Sequence, residues 1–349
     1  MKKNIIKIVC FLAILAFGTG IINHALCWKD SLGIRQFYNM KDEPMDVMFF
    51  GSSHAEYGVN TSYLWDDYGI AAYSMTEGGQ NLGTTYYYMV EALKYKKPQI
   101  MVVELTFTAP GWENSGLYDG NLYRNTINMH WSKNYLDNMN YLADIVESES
   151  DAKEAKKVRK NVLFKFPVYH TRYNELTLTD FVRDDVLRGR YEGSSRCTPQ
   201  EAPEAIYSTA TAEGGVDAIC RKEYVDAMIQ LCKDNDVQLI FWVSPFLVEE
   251  DAMEVYNTVG EYVLQQGVPF YNMCSAKVQQ QVGFDYATDL IEGQHVNFDG
   301  CRKVSTFFGK LLTSEYGIES HAGDSAYAIY DGIADYWNNW EVELREAGK

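Results

Sequence analysis

The sequence is short of basic residues and lacks the spaced cysteines of common metal and redox sites. Its 349 residues include 31 Lys and Arg against 48 Asp and Glu, a formal net charge of −17. Nucleic-acid binding depends on clustered Lys and Arg, so this balance argues against a nucleic-acid partner. The seven cysteines form no CxxC pair, which counts against a zinc ribbon or a thioredoxin-type site. Cys197 and Cys220 are a candidate disulfide, with buried free thiols as the alternative.

The amino end carries a long apolar run. Lys2, Lys3 and Lys7 precede residues 8–27, roughly 20 mostly apolar residues, which is about the span of a bilayer. The positive charges predict that residues 1–7 stay in the cytoplasm and that the remainder lies outside the cell. A cleaved signal peptide is the alternative, but no small-x-small cleavage site follows the run. We therefore expect a single-pass protein of the cell membrane with an extracytoplasmic domain.

Continuous apolar runs alternate with helical patterns through most of the remaining chain. Such runs are typical of parallel strands that are buried on both faces. They predict an α/β fold, a three-layer α/β/α sandwich with a parallel sheet. The five runs are DVMFF, IAAYSM, QIMVVEL, QLIFWVSP and VPFYNM.

The same alternation of apolar runs and helical patterns predicts the domain boundaries. Residues 28–45 have the composition of a polar linker, and residues 46–318 form the α/β domain. Residues 107–215 break the alternation and are predicted to be a mainly helical insertion over the carboxyl edge of the sheet. The acidic, aromatic residues 319–349 are predicted to form a terminal helix packed on the surface.

Three polar segments follow strands or precede the last helix, so they can meet at the carboxyl edge of the sheet. The first is Ser53, directly after the first strand. The second is EGGQNLG at residues 77–83, after the second strand. The third is TDLIEGQHVNFDG at residues 288–300, before the closing helix.

These segments hold the parts of an activated nucleophile. Ser53 needs a base to take its proton, and His295 is the candidate. Glu292, three residues earlier, can orient the imidazole and stabilise its charged form, and Asp289 is the alternative acid. A second interpretation is that His295 merely caps the final helix.

The glycine-rich turn supplies candidate donors for a developing oxyanion. The backbone N–H groups of Ser53 and Gly79 are the candidates, with the side-chain amide of Asn81 or Gln80 assisting. Gln80 is also a candidate for substrate binding, and His54 is a candidate pocket-lining neighbour of the nucleophile.

The stretch YHTRY supplies two further candidates for substrate binding. His170 and Arg172 could bind an anionic or sugar substrate. An internal polar anchor is the equally open alternative.

The order of these motifs resembles the SGNH/GDSL hydrolase superfamily. The chain is most similar to exported SGNH-like proteins of Gram-positive bacteria related to the D-alanyl transfer proteins of lipoteichoic acid modification. The resemblance covers roughly residues 35–315 and is looser in the central insertion. It depends on RQFYNMKDEPMDVMFFGSSHAEYGVN, YYYMVEALKYKKPQIMVVEL, FPVYHTRYNEL and GFDYATDLIEGQHVNFDG.

The resemblance implies a flavodoxin-like fold, with Ser53 as nucleophile, His295 as base and Gly79 as an oxyanion donor. Three features depart from the family pattern. Ser52 replaces the aspartate of Gly-Asp-Ser, as in the alanyl-transfer relatives, Glu292 replaces the usual aspartate, and no Gly-x-Asn-Asp follows the third strand. A Gly-x-Ser-x-Gly motif is also absent, which counts against an ordinary α/β-hydrolase.

The sequence and the resemblance together predict a membrane-anchored extracytoplasmic serine esterase or O-acyltransferase. Its substrate would be an acylated cell-envelope polysaccharide or teichoic polymer, processed through an acyl-enzyme without a metal or organic cofactor. Anchoring would also suit a membrane-bound acyl donor protein as partner. The alternative is a non-catalytic SGNH-fold protein that binds or assembles envelope components.

Overall fold

A five-stranded parallel sheet forms the centre of the protein in a computed structural model, which describes residues 2–27, 32–114, 116–117, 121–180 and 193–349. The strand order is β2-β1-β3-β4-β5, the order of flavodoxin-like doubly wound sheets. Each strand overlaps the apolar run that predicts it. The strands are β1 Val47–Gly51, β2 Ala72–Thr76, β3 Ile100–Glu104, β4 Gln238–Val243 and β5 Phe270–Asn272.

Helices connect the strands and cover both faces of the sheet. Alternate strand residues enter two separate hydrophobic clusters, with Phe50 and Val103 in one and Phe49 and Val102 in the other. The predicted layered α/β architecture is therefore confirmed. The helices are α1 Lys2–Leu26, α2 Leu32–Met40, α3 Ser53–Gly58, α4 Thr61–Tyr68, α5 Leu82–Leu93, α6 Asn121–Ile127, α7 Lys133–Glu149, α8 Ala152–Phe164, α9 Phe166–Tyr169, α10 Lys222–Asn235, α11 Glu250–Gln265, α12 Ala276–Val282, α13 Phe298–Ser314 and α14 Ile329–Glu346.

The apolar run at the amino end forms the single helix α1. It is long and apolar enough to cross a membrane, and most of its side chains are exposed. Near its carboxyl end, the buried Leu26 contacts Ile127 and Tyr169 of the helical insertion. The insertion therefore lies where α1 ends.

The linker predicted over residues 28–45 is wrong for much of its length. Within it, α2 carries Ile34, Phe37 and Met40, which are fully buried against the sheet. Their spacing of three places them on one face of a short helix whose other positions are mostly polar. Residues 28–31 of the predicted linker lie outside the described residues.

In the described part of the insertion predicted over residues 107–215, α-helices end at Tyr169, and later residues form only short 3-10 helical turns. Helices α6 to α9 occupy it up to Tyr169, whereas residues 193–203 run without helix beside the loop before α13. Residues 181–192 lie outside the described residues. The predicted terminal helix is present as α14, whose buried residues pack against α4.

The cysteines are all free thiols. The candidate disulfide between Cys197 and Cys220 is therefore wrong. Cys232, Cys274 and Cys301 are buried, in agreement with the alternative of buried free thiols.

Candidate active site

The segment that carries Ser53 is fixed between β1 and α3. Gly51 has a φ of +147°, and a Cβ there would lie 2.6 Å from the Cβ of Glu104, so only glycine fits without a shift. Ser52 caps α3, because its Oγ accepts a hydrogen bond from the backbone N–H of His54 at 3.3 Å. Ser53 is consequently the first residue of the short helix α3.

A hydrogen-bonded series joins Ser53, His295 and Glu292. The Oγ of Ser53 lies 2.9 Å from Nε2 of His295, and Nδ1 of His295 lies 2.5 Å from Oε1 of Glu292. An imidazole between a hydroxyl and a carboxylate can accept the hydroxyl proton while the carboxylate stabilises the resulting charge. The predicted juxtaposition is present, and the catalytic role remains a prediction.

The loop that carries His295 is a tight reversal of the chain. Leu290 and Val296 form an antiparallel bridge, and the N–H of Ile291 donates to the carbonyl of His295 at 2.9 Å. Asn297 caps α13 by accepting from the N–H of Gly300 at 3.0 Å. The interpretation of His295 as the cap of this helix is therefore wrong.

Asp289 is not the acid that contacts His295. Its carboxylate is fully buried and accepts from Nζ of Lys303 at 2.7 and 2.9 Å. It also accepts from the backbone N–H of Asp285 at 2.7 Å. These contacts make Asp289 a structural residue of the loop, while the half-exposed Glu292 faces the imidazole.

His54 lies beside the Ser53–His295 pair, inside an aromatic cluster. Its buried ring is 5.0 Å from Phe246, 5.4 Å from Trp112 and 5.3 Å from His295, centroid to centroid. Burial, together with the charge on His295, lowers the pKa of His54 to about 3. The ring is therefore neutral at neutral pH. His54 thus lies beside the ring of His295, and its contact with substrate remains a prediction.

The aromatic residues of this cluster escaped the sequence analysis. Tyr57 follows Ser53 by four residues on α3, and its ring lies 4.7 Å from that of His295. Trp112 and Phe246 each follow a strand end, in the stretches TAPGW and SPF. Side chains that follow parallel strands reach the carboxyl edge of the sheet, so their positions in the sequence are consistent with this cluster. The same holds for many other residues, so the positions do not single out these three.

Glu104 is a polar residue of the site that none of the predicted motifs includes. It ends β3 and is buried, and it accepts from Ser52 Oγ at 3.1 Å and from the N–H of Thr106 at 2.6 Å. The hydroxyl of Thr106 also donates to it. Burial outweighs these hydrogen bonds and raises the pKa of Glu104 to about 7. A carboxyl at the end of the apolar run MVVE was the available signal.

The glycine-rich turn lies beside the end of β1, as predicted. The N–H of Glu77 donates to the carbonyl of Gly51 at 3.3 Å. Gly79 has a φ of +65°, and a Cβ there would lie 2.7 Å from the Cα of Gly116 in the insertion. The turn thus requires glycine at this position. The oxyanion role of the Gly79 and Ser53 N–H groups remains a prediction.

The two amides of the turn have structural contacts. Asn81 caps α5, with its Oδ1 accepting from the N–H of Thr84 at 3.1 Å. Gln80 is buried, and its Nε2 donates to Oγ1 of Thr85 at 3.0 Å. For Gln80 this inward bonding does not support contact with substrate, and its predicted role remains a prediction. For Asn81 the oxyanion role remains a prediction.

Arg172 contacts the carboxyl end of α1, whereas His170 contacts residues of its own segment. Arg172 Nη1 donates to the carbonyls of Leu26 at 2.8 Å and Cys27 at 3.0 Å, and its Nη2 donates to Asp180 at 3.1 Å. The exposed His170 contacts the carbonyl of Pro167 through Nδ1 at 3.0 Å. The alternative of an internal polar anchor is therefore confirmed for Arg172. These contacts do not support the predicted substrate-binding role of either residue.

The described residues contain no group of three or more His, Cys, Asp or Glu side chains arranged to hold a metal ion. The polar chemistry of the site lies in the Ser53, His295 and Glu292 series and in the buried groups around it. No protein-family model matches the chain, and no curated protein matches it.

Proposed function

We propose that this protein is a membrane-anchored serine esterase or O-acyltransferase that works outside the cell. Its substrate would be an acyl ester of a cell-envelope polysaccharide or teichoic polymer. The observation that carries the proposal is the hydrogen-bonded series from Ser53 Oγ through His295 to Glu292. The apolar α1, with three lysines in its first two turns, supports the anchored arrangement with the domain outside.

The series suits acyl transfer through a covalent intermediate. Nε2 of His295 accepts the proton as Ser53 Oγ bonds to the acyl carbonyl carbon, and Glu292 stabilises the imidazolium. The imidazolium then protonates the leaving alcohol as its bond to carbon breaks, which leaves an acyl-serine. Water or an acceptor hydroxyl then gives its proton to His295 as its oxygen bonds to the acyl carbon. The bond between that carbon and Ser53 Oγ breaks, and the imidazolium returns the proton to Oγ.

The surroundings of the series support this chemistry. Because the buried His54 stays neutral, it adds no second positive charge next to the imidazolium that forms on His295. The rings of Tyr57 and Trp112, which lie beside His295 and His54 respectively, are the proposed apolar surface for an acyl chain or the apolar face of a sugar. Backbone N–H groups of Ser53 and Gly79 are the proposed donors to the oxyanion.

Labelling with a fluorophosphonate probe tests the proposal. The purified full chain in detergent micelles should label, and Ser53→Ala and His295→Ala should lose labelling while keeping the wild-type circular dichroism. Ser314→Ala, a change at an exposed serine of α13, should label like the wild type. A folded wild-type chain that does not label, or a Ser53→Ala variant that labels fully, would contradict an activated Ser53.

A further inference from the structure

Helix α8 has two faces of different composition. Ala155, Val158 and Val162 are buried against the neighbouring helices. The opposite, exposed face carries four lysines followed by two large apolar residues, all at helical spacing. In chain order these are Lys153, Lys156, Lys157, Lys160, Leu163 and Phe164.

Large apolar side chains remain exposed beyond the end of α8. Phe164 is 62% exposed, Phe166 44%, Tyr173 72% and Leu178 76%. They lie within fifteen residues of one another in sequence. A concentration of exposed large apolar residues in one segment is typical of an interaction surface rather than of scattered surface residues.

This segment is attached to the end of the helix that can cross a membrane. Arg172 donates to the last carbonyls of α1, at Leu26 and Cys27. The side chain of Leu26 is buried with Ile127 and Tyr169. The exposed apolar residues therefore begin where α1 would leave the hydrocarbon region of a bilayer.

The local charge is opposite to that of the whole chain. Residues 152–165 contain six Lys and Arg and one Glu, within a chain of net charge −17. An acidic protein is repelled by anionic lipid unless a basic segment faces the bilayer. Lysines on a polar face, combined with Phe and Leu, are the composition of helices that lie in a membrane interface.

We infer that the exposed surface of residues 153–178 docks on a bilayer that contains anionic lipid. Leu163, Phe164 and Phe166 enter the boundary between headgroups and acyl chains, and the lysines of α8 contact headgroup phosphates. The inference rests on the anchoring half of the proposed function and not on the serine chemistry. Loss of probe labelling would therefore leave it intact.

Site-directed spin labelling of the reconstituted full chain tests the docking. The exposed or half-buried cysteines Cys10, Cys27, Cys197 and Cys220 are replaced by serine, and a nitroxide is attached at Phe164→Cys. The matched control is Leu264→Cys on α11, whose native side chain is 58% exposed against 62% for Phe164. Collisions with oxygen and with a water-soluble nickel chelate are measured in phosphatidylcholine–phosphatidylglycerol vesicles.

The label at position 164 should collide severalfold less with the nickel chelate, and more with oxygen, than the label at position 264. Equal collision rates at the two positions would overturn the docking. The combined variant Lys153→Glu, Lys156→Glu and Lys160→Glu should restore nickel collisions at position 164 in vesicles that contain phosphatidylglycerol. It should have little effect in pure phosphatidylcholine. No effect in the anionic vesicles would overturn the role of the lysines.

Discussion

The two segments that meet at the Ser53–His295 hydrogen bond are held in opposite ways. The serine segment is fixed from inside the protein, by the cap at Ser52, the buried Glu104 and the close approach at Gly51. The histidine segment is a surface loop, and the carboxylate that orients its imidazole is half exposed. The candidate nucleophile is therefore placed by the core, whereas the candidate base is placed by a short loop.

In the histidine loop, two acids have different contacts: one fixes the loop to α13 and the other faces the imidazole. Asp289 is buried and paired with Lys303, so it fixes the base of the loop to α13. Glu292 is left to contact His295. The structural acid Asp289 and the candidate catalytic acid Glu292 should therefore respond differently to substitution. The serine segment adds a third carboxyl, the buried Glu104.

The largest effect is expected from Asp289→Asn. Removing the charge leaves Lys303 without its buried partner, and breaking a fully buried pair costs about 3 to 5 kcal/mol. Because the side chain of Lys303 is 35% exposed and water can solvate its ammonium group, we expect a smaller cost of about 2 to 3 kcal/mol. The free energy of unfolding in detergent should fall by that amount, and probe labelling should fall with it because the loop loosens. Denaturant titration followed by circular dichroism measures the first effect.

Asp299→Asn is the matched control. Asp299 pairs with Arg345 at 2.8 Å on the surface of α13, with a side chain that is 58% exposed. Exposed pairs contribute about 0 to 1 kcal/mol, so the control should be close to wild type. Equal stabilities of the two variants would show that the buried pair does not fix the loop.

Glu104→Gln should change how stability depends on pH. Burial raises the pKa of this carboxyl from 4.5 to about 7, so the folded protein retains a proton that the unfolded chain has already lost between those values. The contribution of Glu104 to stability is therefore full below pH 4.5 and falls as the pH rises to 7. Glutamine cannot titrate and lacks this fall.

As the pH rises through this window, the unfolding free energy of the wild type should fall by about 2 to 3 kcal/mol relative to that of Glu104→Gln. Urea titrations at pH 4.5, 6 and 7.5 measure it. Parallel pH profiles of the two chains would contradict the titration of Glu104. They would also remove the electrostatic difference between the buried Glu104 beside Ser53 and the half-exposed Glu292 beside His295.

Sequence patterns were sufficient for the sheet and for the meeting of Ser53 with His295. Buried parallel strands are continuous apolar runs, and their carboxyl ends share one edge, so residues 242 apart in sequence could be placed together. The choice between the two acids could not be made. It depends on Lys303, whose contact with Asp289 is a property of the folded loop and helix.

The features that were missed depend on tertiary contacts. Helix α2 is too short to be stable by itself, and its composition is largely polar, so the sequence indicates a linker. The helix forms because Ile34 and Phe37 are buried against the sheet. Arg172, in the polar stretch YHTRY, is a plausible substrate-binding residue by sequence, but one of its partners is the carbonyl of Leu26, 146 residues away. A single arginine in a polar stretch does not indicate which anion or carbonyl it will bind.

Glu292→Gln should have the smallest effect, confined to reactivity. The amide cannot stabilise an imidazolium as a carboxylate does, so the rate of fluorophosphonate labelling at neutral pH should fall. Because water screens this half-exposed carboxylate, we expect a fall of about tenfold, much less than for a buried acid. The unfolding free energy should stay within about 0.5 kcal/mol of wild type.

Gln294→Ala, a change at the exposed neighbour in the same loop, controls for a general disturbance and should label at the wild-type rate. Reduced labelling with unchanged stability for Glu292→Gln, beside the loss of both for Asp289→Asn, would separate the functional acid from the structural one. If Glu292→Gln labels like wild type, the exposed carboxylate does not assist His295. The reactivity of Ser53 would then have to come from His295 alone and from the buried residues of the serine segment, Ser52 and Glu104.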